Sequence, residues 1–309
     1  MTSADLSVAA GAVSASGLIT LMLTTILCWG AWGIFDKKAL ESGSPRDVFL
    51  ILLLCELPQI PIAAAILHGQ GLAWEPSWSQ IMWPALSALT MTISTLVYLI
   101  ALKEAEASYV LGITASYPLL VQLLAVYLVD EPLSLERLLG SLLIAGGVFS
   151  VGFSARSGTG EGSRRRWFIV GAAVVSTVCW ALYGLFDKKS VNISNPWFVY
   201  FWQSVFNGIL ILPVAAYLRW RGHRAKLRSG RTWLFCALSA LSLSLGAVCC
   251  LLAMAAAPAT YVIAICGCYP LVMYVLAVAA LKEPVNWVRL FGMALIVGGG
   301  IVIQLTQAL

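Results

Sequence analysis

WGAWGIFDKK (residues 29–38) recurs 151 positions further on as WALYGLFDKK (180–189). Six of the ten positions are identical: Trp29/Trp180, Gly33/Gly184, Phe35/Phe186, Asp36/Asp187, Lys37/Lys188 and Lys38/Lys189. An apolar run that closes on the same three charges, written twice, marks a duplicated unit, and the duplication extends outward. ASYVLGITASYPLLVQLLAVYLVDEPLSLERLLG (107–140) returns as ATYVIAICGCYPLVMYVLAVAALKEPVNWVRLFG (259–292), with Tyr117/Tyr269, Pro118/Pro270, Glu131/Glu283, Arg137/Arg289 and Gly140/Gly292 all 152 apart. Pro45/Pro196 and Glu56/Asn207 stand 151 apart, which puts a one-residue insertion between the second and third runs of the second copy.

The 309 residues are 60% hydrophobic and 11% charged, with a mean hydropathy of +0.89. A water-soluble domain carries about 25% charged residues, so this chain cannot cover itself with a solvated surface. Apolar runs of about 20 residues match a bilayer core. Ten are expected, at 18–37, 48–67, 80–102, 108–129, 134–153, 167–186, 197–218, 232–254, 259–281 and 287–306. The predicted fold is an all-α integral membrane protein: ten transmembrane helices as two inverted five-helix repeats around a central cavity. Its parts are an N-terminal tail (1–17), a first repeat (18–153), a basic linker (154–166) and a second repeat (167–309). Five runs per copy is an odd number, so the second copy enters the membrane from the opposite side, as in secondary transporters.

Residues 1–17 contain no Lys or Arg, so the basic region of a signal peptide is missing and the first run is expected to be retained. The eight cysteines lie in apolar runs with no CxxC spacing, which predicts packing rather than metal or redox work. No cofactor is expected.

The stretches PLLVQLLAVYLVDEPLSLERLLGSLLIAGGV and PLVMYVLAVAALKEPVNWVRLFGMALIVGGG resemble the half-repeat of EamA-type proteins of the drug/metabolite transporter superfamily, over nearly the whole chain in two copies. The resemblance implies a ten-helix transporter and leaves the solute open. Relatives often place a basic residue about two turns into the second run of each half. Here Leu52 and Gln203 stand near that position, so the arginine of an anion contact is missing.

With the N-terminus outside, 16 of the 19 Lys and Arg fall on the inner side and only Arg137, Lys188 and Lys189 on the outer. Positive charge marks the cytoplasmic face. Both termini are therefore expected outside the cytoplasm, in a plasma (inner) membrane. The clusters at 164–166 and 219–231 would lie on anionic lipid rather than nucleic acid. Each face then receives one DKK helix end and one EP…R hairpin from different halves. When the outer mouth closes, Asp187 or its lysines would pair with Arg137 or Glu131; when the inner mouth closes, Asp36 or its lysines would pair with Arg289 or Glu283. These six residues are candidate gates. The competing expectation is that the lysines snorkel to the headgroups and the acids sit at helix ends.

Glu56 lies mid-run in ILLLCELPQIP. A carboxyl at that depth is paired, protonated or faces water. Pro58 and Pro61 are expected to free the carbonyls of Leu54 and Leu57 toward a cavity. Its mate Asn207, with Gln203 one turn earlier, is neutral. Trp29, Trp32, Trp180, Tyr183, Tyr117 and Tyr269, with Tyr98 and Ser94 on the stripe Ser87–Thr90–Ser94–Tyr98, complete the predicted cavity. One acid among aromatic faces favours an amine-bearing solute. Interfacial belts and Ser/Thr glue between helices are the alternatives for these aromatics and hydroxyls. The fifth and tenth runs, with Ser141/Ala145 and Ala294/Gly298 as small-residue pairs, are expected to scaffold the core or join a homodimer.

The function predicted is therefore a secondary-active transporter for a small polar or amine-bearing metabolite, proton-coupled through Glu56 or exchanging, and not an enzyme. A membrane-embedded transferase on a lipid-linked substrate would need a concentrated site of acids, histidines or metal ligands. His68 and His223 stand alone. A non-transporting helical scaffold is the remaining alternative.

Overall fold

The computed structural model describes residues 13–71, 76–105, 110, 113–114, 116–153, 163–222, 229–282, 285 and 287–305, with the backbone alone at 151–153 and 163–166. Among these, twelve α-helices occur: α1 (Ala15–Ser42), α2 (Pro45–Glu56), α3 (Gln59–Gly69), α4 (Trp78–Glu104), α5 (Tyr117–Leu128), α6 (Leu135–Phe153), α7 (Ser163–Val191), α8 (Pro196–Trp220), α9 (Gly230–Ala256), α10 (Ala259–Cys266), α11 (Tyr269–Leu281) and α12 (Trp287–Leu305). Eight helical segments are long and apolar enough to cross a bilayer, counting α2 with α3 and α10 with α11 as one segment each. Of the two remaining expected runs, 134–153 forms the 19-residue α6, and 108–129 is represented by the 12-residue apolar α5.

Polar residues between the runs start the helices. Ser44 accepts the Asp47 N–H at 3.2 Å ahead of Pro45, and its repeat mate Asn195 accepts the Trp197 N–H at 2.9 Å ahead of Pro196. Ser14 and Ser229 cap α1 and α9 in the same way. These contacts satisfy amides that a helix N-terminus leaves open, and proline fits the first turn because it has no amide to orphan.

Proline also breaks the helices. α2 ends at Glu56, and the chain turns through Leu57 and Pro58 into α3. The carbonyls of Leu54 and Leu57, expected to be free, instead accept from the amides of Leu57 (3.3 Å) and Ile60 (3.2 Å). The turn tightens to i+3 bonding and recovers the acceptors that Pro58 and Pro61 would orphan. α10 breaks at Gly267, where a side chain would lie 2.5 Å from Pro118 Cγ at the start of α5. The break between α10 and α11 in the second half therefore packs against the start of α5 in the first.

Cross-helix bonds fix helix direction. Ser42 meets Thr232, Asp36 meets Ser239 and Thr25 meets the Gly246 carbonyl, so α1 and α9 run antiparallel. Ser87 meets Asp187, and Ser176 meets the Ser94 carbonyl, so α4 and α7 run antiparallel as well. Lys37 near the end of α1 reaches the last carbonyls of α4, which makes these two parallel. The first and third long helices of one half thus oppose those of the other. Ser87 and Ser239 are repeat mates, so the same bond is made twice, once from each half.

α6 and α12 also cross antiparallel. A side chain on Gly147 would lie 2.4 Å from the Gly292 carbonyl, and one on Gly299 would lie 2.5 Å from the Gly140 carbonyl. The close contact uses Gly140, Gly147, Gly292 and Gly299 rather than the Ser141/Ala145 and Ala294/Gly298 pairs. Gly298 has open space where a side chain would go, and Ala294 faces outward. The fifth and tenth runs, expected to scaffold the core or join a homodimer, pack on each other within the chain through these four glycines.

Lys37, Lys103, Lys188 and Lys189 turn to neighbouring helix ends. Lys37 Nζ donates to the carbonyls of Leu102 and Ala105, both at 2.7 Å; its mate Lys188 donates to Met254 (2.6 Å) and Ala257 (2.9 Å), the mates of those two residues. Lys189 donates to the Leu128 carbonyl at the end of α5, and Lys103 to the Leu40 carbonyl near the end of α1. A helix C-terminus offers unpaired carbonyls and the negative end of the macrodipole. Inside an apolar bundle that acceptor wins over distant headgroups.

Candidate functional site

Asp36 and Asp187 lie one turn after Trp32 and Tyr183 on the inward faces of α1 and α7, and both are fully buried. Ser239 Oγ donates to Asp36 Oδ1 at 2.6 Å. Asp187 accepts from Ser87, Gln203 and Tyr183. Among the described residues neither aspartate meets an arginine in this arrangement of the helices. The reason is angular: successive residues on a helix diverge by 100°. With the lysines turned to neighbouring helix ends, the aspartates point into the bundle, where a hydroxyl is already within reach.

The rest of the expected gate set is used differently. Glu131 receives the amides of Ala259 (2.6 Å) and Thr260 (2.9 Å) and the Thr260 hydroxyl (2.7 Å), and so caps α10 of the other half. Arg137 donates to Thr260 Oγ1 at 3.0 Å. Arg289 is completely buried, its guanidinium 5.6 Å from the Tyr274 ring centroid. Glu283 lies outside the described residues.

Two adjoining chambers occupy the interior. The first holds about 520 Å³ of empty space and is walled by Trp29, Trp32, Tyr117, Trp180, Tyr183 and Tyr269, with Asp187 at one side. Trp180 is its centre: ring centroids of Trp32 and Tyr98 lie 5.5 Å away and that of Tyr117 6.1 Å. The indole nitrogens of Trp29 and Trp180 are buried without a hydrogen-bond partner among the described residues. The second chamber, about 410 Å³, is lined by Glu56, Gln59, Tyr200, Gln203, Ser204 and Asn207, among others. Met91, Tyr183 and Leu243 belong to both, so the chambers share a wall.

Glu56, half-buried at the end of α2, takes one hydrogen bond, from Asn207 Nδ2 at 3.1 Å. The repeat mates Glu56 and Asn207 therefore meet across the pseudo-symmetry of the bundle. Around them Tyr200 donates to Gln59 Oε1 at 2.8 Å, and Gln59 donates to Ser244.

Of the residues expected to line a cavity, Trp29, Trp32, Trp180, Tyr183, Tyr117 and Tyr269 meet in the aromatic chamber, and Glu56, Gln203 and Asn207 in the polar one. Tyr98 and Ser94 do not reach either. Both are fully buried; Tyr98 packs behind Trp32 and Trp180, and the backbone of Ser94 is held by Ser176. Their stripe faces α7 rather than the cavity. Gln59, Tyr200 and Ser244 escaped the sequence reading. Gln59 carries a legible signal, an amide directly after the helix-breaking Pro58; Tyr200 lies one turn before Gln203 on the same face.

Among the described residues no three His, Cys, Asp or Glu side chains gather in a way that would hold a metal ion, and the cysteines are free thiols.

Two half-bundles of opposite direction, interlocked around one interior cavity and built from membrane-crossing helices, define a multi-pass membrane protein of transporter type. The chain belongs to the EamA-like transporter family, whose sequence pattern matches residues 16–153 and again 167–305. A solved structure described as "Crystal structure of protein" superposes with a TM-score of 0.73 at 20% identity, over 95% of this chain and 98% of that one; the likeness is one of fold. Comparison with curated proteins returns no match.

Proposed function

We propose that the protein is a secondary-active carrier with ten spans, set in the plasma (inner) membrane with both termini outside the cytoplasm. It moves a small polar or amine-bearing solute by alternating access. The observation that carries this is the doubled bond between halves: Asp36 with Ser239, and Asp187 with Ser87. Two interfaces built from the same parts and placed on opposite-running helices are close to equal in energy. Weakening one while strengthening the other then exchanges two mirror-related states, each opening the cavity to one side.

Glu56 is the proton or solute site. It is an acid at membrane depth, it lines a chamber, and it is held by one neutral amide. The acids in this interior are dispersed over separate helices rather than gathered at one centre, which favours carriage over chemistry.

Purified protein in liposomes should show saturable counterflow of a labelled solute, with coupling to protons lost in Glu56→Gln. Cysteines at Arg46 and Asn192, both exposed at opposite ends of the bundle, should label from opposite sides of the membrane in a background lacking native cysteines. Labelling from the same side would remove the inverted arrangement and the carrier with it.

A further inference from the structure

The adjoining chambers differ in kind, and the difference specifies a ligand. One is walled by three tryptophans and three tyrosines. The other is polar, and its carboxylate Glu56 has one oxygen, Oε1, that accepts nothing from the described residues. Among the described residues no lysine or arginine lines either chamber. The amide donors of the polar chamber are already turned to acceptors: Asn207 to Glu56, Gln203 to Asp187 and Ser87, and Gln59 to Ser244.

From this we infer that the cavity seats an aralkyl amine in two parts, the ammonium on Glu56 in the polar chamber and the ring among Trp29, Trp32 and Trp180. The inference rests on the carrier reading and narrows its solute. A buried ammonium requires a partner of opposite charge, and Glu56 supplies it. A ring entering the first chamber meets aromatic edges and faces on several sides, the arrangement aromatic pairs prefer. Met91, Tyr183 and Leu243 line both chambers, and the alkyl link would have to cross beside them. The same layout rejects an amino acid. Its carboxylate would sit near Glu56 with no lysine or arginine of either chamber to receive it, and like charges at such range repel strongly where water is scarce.

The test compares three probes on the full-length protein by thermal shift and by counterflow in liposomes: phenethylamine, phenylalanine and n-butylamine. Phenethylamine should bind about tenfold or more tightly than either of the others, since one lacks the ring and the other adds the carboxylate. Glu56→Gln should weaken both amines. Trp180→Leu should weaken phenethylamine about tenfold and leave n-butylamine unchanged. If Trp180→Leu does not fold, Leu243→Phe, which adds bulk where the chambers adjoin, should impose the same selective loss. Phenylalanine binding as tightly as phenethylamine would overturn the two-part seat, as would a ring preference that survives these variants. Counterflow of n-butylamine or phenylalanine in preference to phenethylamine would overturn the seat and leave the carrier standing. Ring- and amine-dependent binding without any counterflow would overturn the carrier and leave the seat.

Discussion

Gly246 on α9 is the point where the fold and the aromatic chamber depend on one another. A Cβ placed there would lie 2.5 Å from Trp29 Cδ1, 2.6 Å from Trp29 Nε1 and 3.3 Å from Cys28 Cβ. Ordinary carbon contacts begin near 3.5 Å, so the indole must retreat by about 1 Å, and it has the cavity behind it. Two effects compete in Gly246→Ala. Helix propensity gains about 1 kcal/mol on replacing an interior glycine, and overpacking a filled site costs about 1–3 kcal/mol. Gly171 on α7 separates them, because it is exposed, helical and has nothing within 4 Å of its would-be side chain. Gly171→Ala should therefore raise the melting temperature in detergent. Gly246→Ala should fall below it by the overpacking difference of about 1–3 kcal/mol. Adding Trp29→Phe, which shortens the displaced ring, should recover most of that loss in a non-additive double-mutant cycle. Equal stabilisation by the two alanines, or strict additivity of the pair, would show that Trp29 does not pack on α9 as described.

Three further outcomes follow from the same contacts. Lys188→Met should destabilise by about 1–3 kcal/mol in chemical denaturation, because it leaves two buried helix-end carbonyls unpaired. Lys38→Met, which removes an ion pair with half-exposed Glu41 at 3.3 Å, should cost under about 1 kcal/mol. Gly147→Leu should prevent α6 and α12 from closing and abolish monodisperse protein on gel filtration, whereas the neighbouring Gly146→Leu, with open space around it, should purify normally. Glu131→Ala removes the acceptor of two backbone amides and a hydroxyl at the start of α10; a loss of about 1–3 kcal/mol is expected, larger than for Glu131→Gln, which keeps one acceptor oxygen in place.

Much of the architecture was legible because a membrane leaves few options. A run of about 20 apolar residues has to form a helix that satisfies its own backbone, and an odd number of such runs per repeat, as expected from the sequence, inverts the second copy. The helix starts could be read from Ser44-Pro45 and Asn195-Pro196, and the break in the second run from Pro58. The aromatic and amide residues of the cavity were legible for a related reason. Polar and amphipathic groups deep in a span must face protein or water, and Trp29, Trp180, Glu56 and Asn207 all sit deep.

Rotation about each helix axis was not legible. Asp36, Lys37 and Lys38 are adjacent in sequence, yet Asp36 enters the core to meet Ser239 while Lys37 leaves for the end of α4. The sequence places all three at one helix end, and the expectation of a charged gate followed. Tyr98 and Ser94 failed in the same way: their stripe is amphipathic, but it turns toward α7 instead of the cavity.

By itself, then, the sequence determined the membrane setting, the duplication and the inversion, because these depend on run length and parity. Only the tertiary structure decided which faces meet: that the third helix of each half packs on the first helix of the other, that lysines cap helix ends, and that the polar and aromatic chambers lie side by side. Those outcomes depend on contacts between residues more than 60 positions apart. There, competition among nearby acceptors is settled by distance and direction, which sequence spacing does not encode.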